Sequence, residues 1–283
     1  MTVQSKTPKQ ALNKAYLKLK PSRDEIERFR THLISLLDKI DESEYEEHSK
    51  NLVRDFLLDT YYKGDFDINV KNRNDLVIHS DRTSASPVSV IIEAKRPSER
   101  YAFPSAANLN VKAIRELVLY YLRERIDCKN SDIRHLIATN GYEWFVFDGA
   151  DFYKYFYCDS SLVKEYEKWN SNQKDSASTE MFYNDIASKY IDKVKSSLPF
   201  AYFNIKDYEK FLRNEDKEDD TDDQNRNLTS IHGYLFPSVS STFLTINLLP
   251  ETAKTSTVDP AGIFVLSSWA IAVHWTSLIL HTP

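Results

Sequence analysis

A glutamate and a lysine two positions apart, Glu93 and Lys95, follow a largely apolar run at residues 88–92. A β-branched run bounded by prolines predicts a buried strand. Because side chains alternate along a strand, Glu93 and Lys95 should share one face. Burying a carboxylate or an ammonium group is costly unless it has a partner or a metal. We therefore expect the strand to carry both residues to an open sheet edge where a charged ligand binds.

Asp75 begins a second short apolar run, residues 75–78. If the two strands form a hairpin, Asp75 and Glu93 converge at one end of the sheet. Two carboxylates and a backbone carbonyl form a hard oxygen site that suits Mg²⁺. A lysine beside such a site can position or deprotonate a water and offset charge on phosphorus. This pattern indicates phosphodiester hydrolysis, and the alternative is a solvated Glu–Lys pair of little energetic value.

The composition of the 283 residues favours a globular protein and excludes some nucleotide sites. Only five glycines occur, and neither G-x-x-x-x-G-K-[ST] nor G-x-G-x-x-G is present, which argues against phosphate-binding glycine loops. The net charge is −5, yet residues 215–223 hold seven acids, whereas basic residues gather at 6–20 and 95–125. The average charge therefore does not decide whether the chain binds DNA.

Cysteine usage and the first residues indicate a cellular compartment. Cys128 and Cys158 have no Cys-x-x-Cys spacing, so neither a zinc site nor a disulfide framework is predicted. The first residues lack the apolar stretch of a secretory signal. We expect a cytoplasmic protein.

Two capping boxes, Ser22 with Glu25 and Ser43 with Glu46, predict an N-terminal pair of helices after a basic arm at residues 1–20. Their predicted buried faces have helical spacing. These faces comprise Ile26, Phe29, Leu33, Leu36, Leu37 and Ile40 in the first helix and Leu52, Val53, Phe56 and Leu57 in the second.

The middle of the chain predicts a mixed sheet. Strands are expected at residues 66–70, 75–79, 88–95, 133–139 and 144–148, with a further aromatic strand or edge at 152–157. Asn140-Gly141 predicts a hairpin turn. A helix is expected over residues 108–125, with basic residues on its outer face. This order indicates an α/β fold in which helices flank a mixed sheet.

After residue 158 the sequence predicts C-terminal helices at 162–169 and 181–194, then an aromatic segment at 198–204 that closes the domain. The predicted organisation is a basic arm (1–20), a core (21–158), a helical extension (159–212), an acidic linker (213–228) and an atypical apolar tail (229–283). The linker composition favours disorder.

The tail is unlike the rest of the chain, because residues 229–283 carry only Glu251, Lys254 and Asp259 as charged groups. Residues 261–280 have no charge and are long enough to span a bilayer. His274, the hydroxyl side chains and the absence of flanking Lys or Arg argue against a membrane anchor. A shifted or interrupted reading frame is the preferred interpretation, followed by an apolar packing segment and then by an anchor.

The order of elements, together with short motifs, resembles the PD-(D/E)XK nuclease fold. More narrowly, it resembles the N-terminal endonuclease region of type IIG-like restriction–modification enzymes, in which a nuclease is fused to an adenine methyltransferase. The resemblance covers about residues 10–210. It is carried by EEHSKNLVRDFL at 46–57, DLVI at 75–78, EAKRP at 93–97, ELVLYY at 116–121, ATNG at 138–141 and WFVFD at 144–148.

The resemblance implies roles for individual residues. Asp75 and Glu93 would be metal ligands with the carbonyl of Ala94, and the ion would be Mg²⁺, with Mn²⁺ as an alternative. Lys95 would position the attacking water. Glu47 would be a supplementary acid, with Glu46 as its competitor. Arg96 and Arg115 would contact DNA phosphates.

Two departures from the family pattern affect the expected function. Asn74 rather than proline precedes Asp75, and the [N/D]-P-P-[Y/F] methyltransferase motif is absent from the chain. The expected function is a Mg²⁺-dependent endonuclease module acting on double-stranded DNA, with a separate methyltransferase or specificity subunit as a candidate partner. The alternatives are a catalytically inactive DNA-binding remnant of a truncated enzyme and a membrane-tethered protein.

Overall fold

The computed structural model describes residues 5–12, 22–71, 75–171 and 176–213. The side chains of Lys71, Asp75, Phe211 and residues 176–178 are also outside the described part. Most of the predicted acidic linker and the whole apolar tail, residues 214–283, lie outside the described residues, as does the membrane-span candidate at 261–280. No helix within the described ranges is long and apolar enough to cross a membrane.

Within those ranges, seven strands form one mixed sheet in the order β1–β7–β6–β5–β4–β3–β2. The pairs β4/β5 and β1/β7 are parallel, and the other neighbouring pairs are antiparallel. The strands are β1 (Ser5–Lys6), β2 (Ile68–Lys71), β3 (Asp75–His79), β4 (Val88–Ala94), β5 (His135–Thr139), β6 (Glu143–Asp148) and β7 (Phe200–Asn204). The predicted α/β class with a mixed sheet is confirmed.

Helices cover both faces of this sheet. The predicted N-terminal pair, α2 and α3, lies on one face with α9, and the opposite face is covered by α4, α5, α6 and α8. The helices are α1 (Pro8–Ala11), α2 (Arg23–Lys39), α3 (Glu46–Leu57), α4 (Lys112–Leu122), α5 (Gly149–Phe152), α6 (Ser160–Ser171), α7 (Ser176–Met181), α8 (Ser188–Val194) and α9 (Glu209–Arg213). In the described part of the chain, four π-helical segments extend them, Leu58–Tyr62, Arg123–Asp127, Tyr153–Tyr157 and Phe182–Ala187, and a 3₁₀ turn spans Ile205–Tyr208.

Strand β4 lies in the interior of the sheet between β3 and β5, and every one of its residues is buried. Val90 and Ile92 pack toward α2 and α3, whereas Val88 and Ile91 pack toward α4. A strand covered by helices on both faces reads as a continuous apolar run, as this one does. The strand therefore has no solvated face, and its polar residues must find partners in the interior or at its end.

Helix α4 is buried nearly all round, as expected of a helix whose residues are apolar on every side. It begins at Lys112, so the expectation of a helix from residue 108 is wrong at its start. The buried residues are Ala113, Ile114, Glu116, Leu117, Val118, Leu119, Tyr120, Tyr121 and Leu122. The solvated basic face predicted for this helix is therefore confined to a few positions.

Other local expectations are corrected by the structure. Residues 152–157 are helical rather than a strand, because Asp148 ends β6 and its carboxylate accepts a hydrogen bond from the Ala150 amide at 2.8 Å. Ser43 does not cap α3: its amide and hydroxyl both donate to Asp41, and Tyr45 precedes the helix without a side-chain cap. Ile26, predicted to be buried, is exposed.

Three further expectations agree with the structure. Ser22 and Glu25 form the predicted capping box at the start of α2. The aromatic segment ending at Asn204 supplies β7, which pairs with β6. Asn140 and Gly141 turn β5 into β6, and Gly141 adopts a φ of +86° that favours glycine.

Candidate functional site

The candidate site lies at the end of β4. The side chains of Glu93 and Lys95 are almost completely buried, at 1% and 4% exposure. The amide of Lys95 donates to the carbonyl of Thr139 at 2.8 Å, so the chain stays tied to β5 just beyond the strand. The charged pair is therefore held in place by the backbone.

Strand β3 brings Asp75 to the same end of the sheet. Strands β3 and β4 form the expected antiparallel pair, with Leu76 opposite Ile92. Continuing this register by one residue places Asp75, the first residue of β3, opposite Glu93. The side chain of Asp75 lies outside the described part, so the structure gives its register position alone.

The ammonium group of Lys95 is surrounded by three carboxylates. Its Nζ lies 2.8 Å from Glu93 Oε1, 2.8 Å from Glu116 Oε2 and 3.1 Å from Glu46 Oε2. These carboxylates come from β4, from α4 on one face of the sheet, and from the first turn of α3. One lysine thus connects the sheet to both helical layers.

A second buried lysine adds to this cluster. Lys50 is 4% exposed, and its Nζ lies 3.5 Å from Glu46 Oε1, one helical turn away. With all five groups ionised, Glu46, Glu93 and Glu116 outweigh Lys50 and Lys95 by one negative charge. A buried cluster with excess negative charge favours uptake of a proton or a cation.

The pKa values reflect this crowding. Burial, and then the charge of Glu116, raises the pKa of Glu93 well above its ordinary value, although Lys95 opposes the shift. Burial likewise raises the pKa of Glu116 against the opposing effect of Lys95. Burial alone would lower the pKa of Lys95, but the carboxylates of Glu93, Glu116 and Glu46 outweigh it and raise that pKa. Lys95 is consequently an ammonium ion at neutral pH and does not act as a base in this arrangement.

One oxygen of Glu93 is unsatisfied. Its Oε2 is buried and has no hydrogen-bond partner within the described residues. Leaving a buried acceptor unpaired costs about 1–3 kcal/mol, and more when it is charged. A hard carboxylate oxygen of this kind fits a divalent cation such as Mg²⁺. Among the side chains that the structure describes, which exclude Asp75, no group of three or more His, Cys, Asp or Glu residues is arranged to hold a metal.

The other sequence-predicted residues lie in different surroundings. Ala94 is buried and ends β4, whereas Glu47 is exposed, and it is Glu46 that reaches Lys95. The guanidinium of Arg96 binds Glu99 Oε1 through Nε at 3.1 Å and Nη2 at 2.6 Å.

Arg115 is engaged by its surroundings in a similar way. It donates to the carbonyl and side chain of Asn110 and to Asn184, which fastens the segment before α4 to the π-helical segment 182–187. Both arginines proposed for phosphate contact are therefore already held by protein groups.

Sequence reasoning missed Glu116 and Lys50 as members of the site. Glu116 directly precedes the unbroken run of apolar and aromatic residues at 117–122, and a carboxylate is rarely buried without a partner. That isolated acid was a usable signal. Lys50 gave a weaker one, its four-residue spacing from Glu46.

Comparison with known proteins places this fold in a family. The fold and the site define a mixed α/β protein with a buried acid–lysine cluster at the end of a central strand. The chain belongs to the family described as Domain of unknown function (DUF7149), whose model matches residues 6–232. No curated protein and no solved structure matches the chain.

Proposed function

We propose that this protein is a Mg²⁺-dependent endonuclease of the PD-(D/E)XK class that hydrolyses phosphodiester bonds in DNA. The observation that carries the proposal is the buried, unpaired Oε2 of Glu93 at the end of β4, with Asp75 opposite it by register and Lys95 two residues beyond. Two acids and a lysine at neighbouring strand ends are the set that metal-assisted hydrolysis of a phosphodiester needs.

The residues take the following roles in this proposal. Asp75, Glu93 and the carbonyl of Ala94 would hold the ion. When bound, Mg²⁺ supplies Lewis-acid polarisation of the phosphoryl oxygen and lowers the pKa of a water. Lys95, an ammonium ion, orients the attacking water and offsets negative charge developing on phosphorus. Glu46 and Glu116 hold Lys95 in position.

Glu46 replaces Glu47 as the supplementary acid in this proposal. Of these two acids, Glu46 is the one that contacts Lys95. Its side chain is 36% exposed, so the cluster is open to solvent on the side of α3. A phosphate would approach along that side, because Glu93 and Glu116 are almost completely buried, whereas Glu46 is partly exposed.

The test is nicking of unmethylated supercoiled plasmid by the full-length protein with Mg²⁺ or Mn²⁺. Glu93→Gln removes the ligand charge with little change of shape, and Lys95→Arg keeps the charge while altering its geometry. The control is Glu165→Gln, which disrupts an exposed ion pair with Lys189. We expect metal-dependent nicking in the wild type and the control and its loss in both site variants.

Isothermal titration calorimetry of metal binding distinguishes the possible reasons for a negative nicking result. The proposal would be contradicted if the wild type does not nick the plasmid and also shows no Mn²⁺ or Mg²⁺ binding that Glu93→Gln abolishes. Binding that is lost in Glu93→Gln, without nicking, would support an intact metal site that needs the proposed methyltransferase or specificity partner.

A non-catalytic DNA-binding protein is the second candidate. It is favoured by one observation: the Lys95 ammonium already lies between Glu93 and Glu116 and forms an ion pair with each carboxylate. In that case the cluster only stabilises the fold. DNA binding would then be the same with and without Mg²⁺, and Glu93→Gln would leave it unchanged.

A further inference from the structure

The loop that joins β4 to α4, residues 95–111, presents two large side chains to solvent at its tip. Arg100 is 80% exposed and Tyr101 is 82% exposed. The loop begins at Lys95, so it is covalently continuous with the candidate site.

The chain on both sides of the tip is fastened to the protein. The amide of Glu99 donates to the carbonyl of Arg96 at 3.1 Å, and that of Ala102 donates to the carbonyl of Glu99 at 3.0 Å. Beyond the tip, Ala102 and Phe103 are buried, and the Phe103 ring packs edge-on against Phe145 at 5.6 Å between centroids. The two exposed side chains therefore lie on a turn that is anchored to the protein on both sides.

The tip of the loop lies at the end of the sheet where β4 carries the Lys95 cluster. Arg100 Nη1 is 3.8 Å from Glu143 Oε2, and Glu143 begins β6. Asn140, which follows β5, donates to the same carboxylate oxygen at 3.1 Å. Thr139, the last residue of β5, accepts the amide of Lys95. This chain of contacts links the tip to the end of β4.

A second exposed tyrosine belongs to the segment that leads into α3. Tyr45 is 79% exposed and directly precedes Glu46, whose carboxylate reaches Lys95 at 3.1 Å. The remaining exposed large apolar side chains in the described ranges are 38–46% exposed, about half as much. The two most exposed aromatic rings thus belong to the two segments that border the cluster.

We propose that Tyr101 and Tyr45 stack on unpaired bases of single-stranded DNA, while Arg100 contacts its backbone phosphate. This inference rests on the proposed nuclease function and names its substrate class. An exposed tyrosine ring offers a flat apolar surface on which any base can stack, and such stacking is tolerant of sequence. Duplex DNA hides the faces of its bases, so rings of this kind gain nothing from it unless a base leaves the stack.

Charge supports the choice of a single strand over the duplex expected from the sequence. Duplex binding depends on many lysine and arginine contacts to phosphates. The guanidinium groups of Arg96 and Arg115 are already held by Glu99, Asn110 and Asn184. Arg100, whose ion pair with Glu143 spans 3.8 Å, is the more available arginine here. Stacking supplies affinity at an end of the sheet whose arginines and lysines are paired with carboxylates.

The test measures binding of one fluorescent oligonucleotide, single-stranded or annealed to its complement, to the full-length protein by anisotropy. Titrations are run with EDTA and separately with Ca²⁺. We expect tighter binding to the single strand, and Tyr101→Ala should weaken that binding about 10-fold, since stacking on one ring contributes about a tenfold effect or more. Tyr101→Phe should retain it because the ring remains. Tyr45→Ala should weaken it as well.

Tyr153→Ala is the matched control. Tyr153 is 42% exposed and follows β6, whose last residue, Asp148, lies opposite His135 at the far end of the sheet. We expect single-strand binding in this variant to match the wild type. Circular dichroism and thermal melting of each variant check that it is folded.

The outcomes separate this inference from the proposed function. Equal or tighter binding to the duplex, or single-strand binding that Tyr101→Ala leaves intact, would overturn the inference even if metal-dependent nicking is found. Absence of any DNA binding by the wild type, single-stranded or duplex, would overturn both.

Discussion

The ammonium nitrogen of Lys95 lies 2.8 Å from a carboxylate oxygen of Glu116, and this ion pair joins the end of β4 to helix α4. Both side chains are nearly withdrawn from water, with exposures of 4% and 9%. An ion pair buried to this degree depends on both partners, because removing one leaves an uncompensated charge in the interior. The pair therefore has a structural consequence that is independent of any catalytic role.

Lys95→Met should destabilise the fold strongly. The substitution leaves Glu93 and Glu116 buried without their cation, and breaking a buried pair costs about 3–5 kcal/mol. Urea denaturation of the full-length protein measures this change. The control is Lys189→Met, which breaks a largely exposed pair with Glu165 and should cost no more than about 1 kcal/mol.

Adding Glu93→Gln and Glu116→Gln to Lys95→Met should recover part of the lost free energy of unfolding. Neutral amides remove the two buried charges while keeping the shape of the side chains, and their polar atoms still need partners. If the triple variant is no more stable than Lys95→Met alone, the ion cluster is not the source of the destabilisation.

Glu46→Gln should reduce metal-dependent nicking more than Glu47→Gln does. Glu46 contacts Lys95 at 3.1 Å, whereas Glu47 is exposed on the adjacent position of α3. Loss of a group that orients a site residue typically lowers activity about 10- to 100-fold. Initial nicking rates of the two variants, measured in parallel, give the comparison. A larger loss in Glu47→Gln would restore the assignment made from the sequence.

The sheet was largely predictable from the sequence because its strands have simple local signals. The apolar run that became β4, the acid-led run that became β3 and the Asn140-Gly141 turn all read correctly. In each case the side-chain pattern and the backbone preference agree, so no distant contact is needed to decide the structure.

The failures occurred where burial or a competing side chain decides the structure. Residues 152–157 are aromatic enough for a strand, yet Phe152 and Phe156 bury themselves as one side of a helix. Ser43 has the spacing of a helix cap, but its amide and hydroxyl donate hydrogen bonds to Asp41, two residues earlier. The partner of Glu116 is Lys95, 21 positions away in sequence, so the local pattern marks a buried acid but does not identify its partner.

Asp159, the residue before α6, should make stability depend on pH in the acid range. Partial burial raises its pKa, but hydrogen bonds from the Ser161 hydroxyl and from the amides of Ser161 and Leu162 outweigh that effect and lower it. A carboxylate whose pKa is lowered by folding stabilises the native state above its unfolded pKa, and that contribution is lost as pH falls through the folded pKa.

Asp159→Ala should therefore be less stable than the wild type by about 1 kcal/mol at pH 7, the usual value for a lost helix cap. The difference should shrink as the pH falls below 3.8, the ordinary pKa of aspartate. Urea denaturation at several pH values measures it. Asp159→Asn keeps a capping oxygen without the charge, so its stability should not fall in that window for this reason. A difference that stays constant to pH 3 would rule out the ionised cap.

Gly141→Ala should destabilise the hairpin beside the candidate site for two reasons that a second glycine can separate. Gly141 and Gly64 have nearly equal φ values of +86° and +89°, so alanine at either position meets a similar backbone penalty of about 1–2 kcal/mol. A Cβ at Gly141 would also lie 2.8 Å from Cδ1 of Ile40, whereas one at Gly64 would have no atom within 4 Å. Gly141→Ala should thus cost more than Gly64→Ala, and Ile40→Val, which removes that methyl group, should reduce the excess in the double variant. Denaturation midpoints of the wild type, the three single variants and the double variant measure both effects, and an equal loss in the two alanine variants would mean that Ile40 moves aside freely.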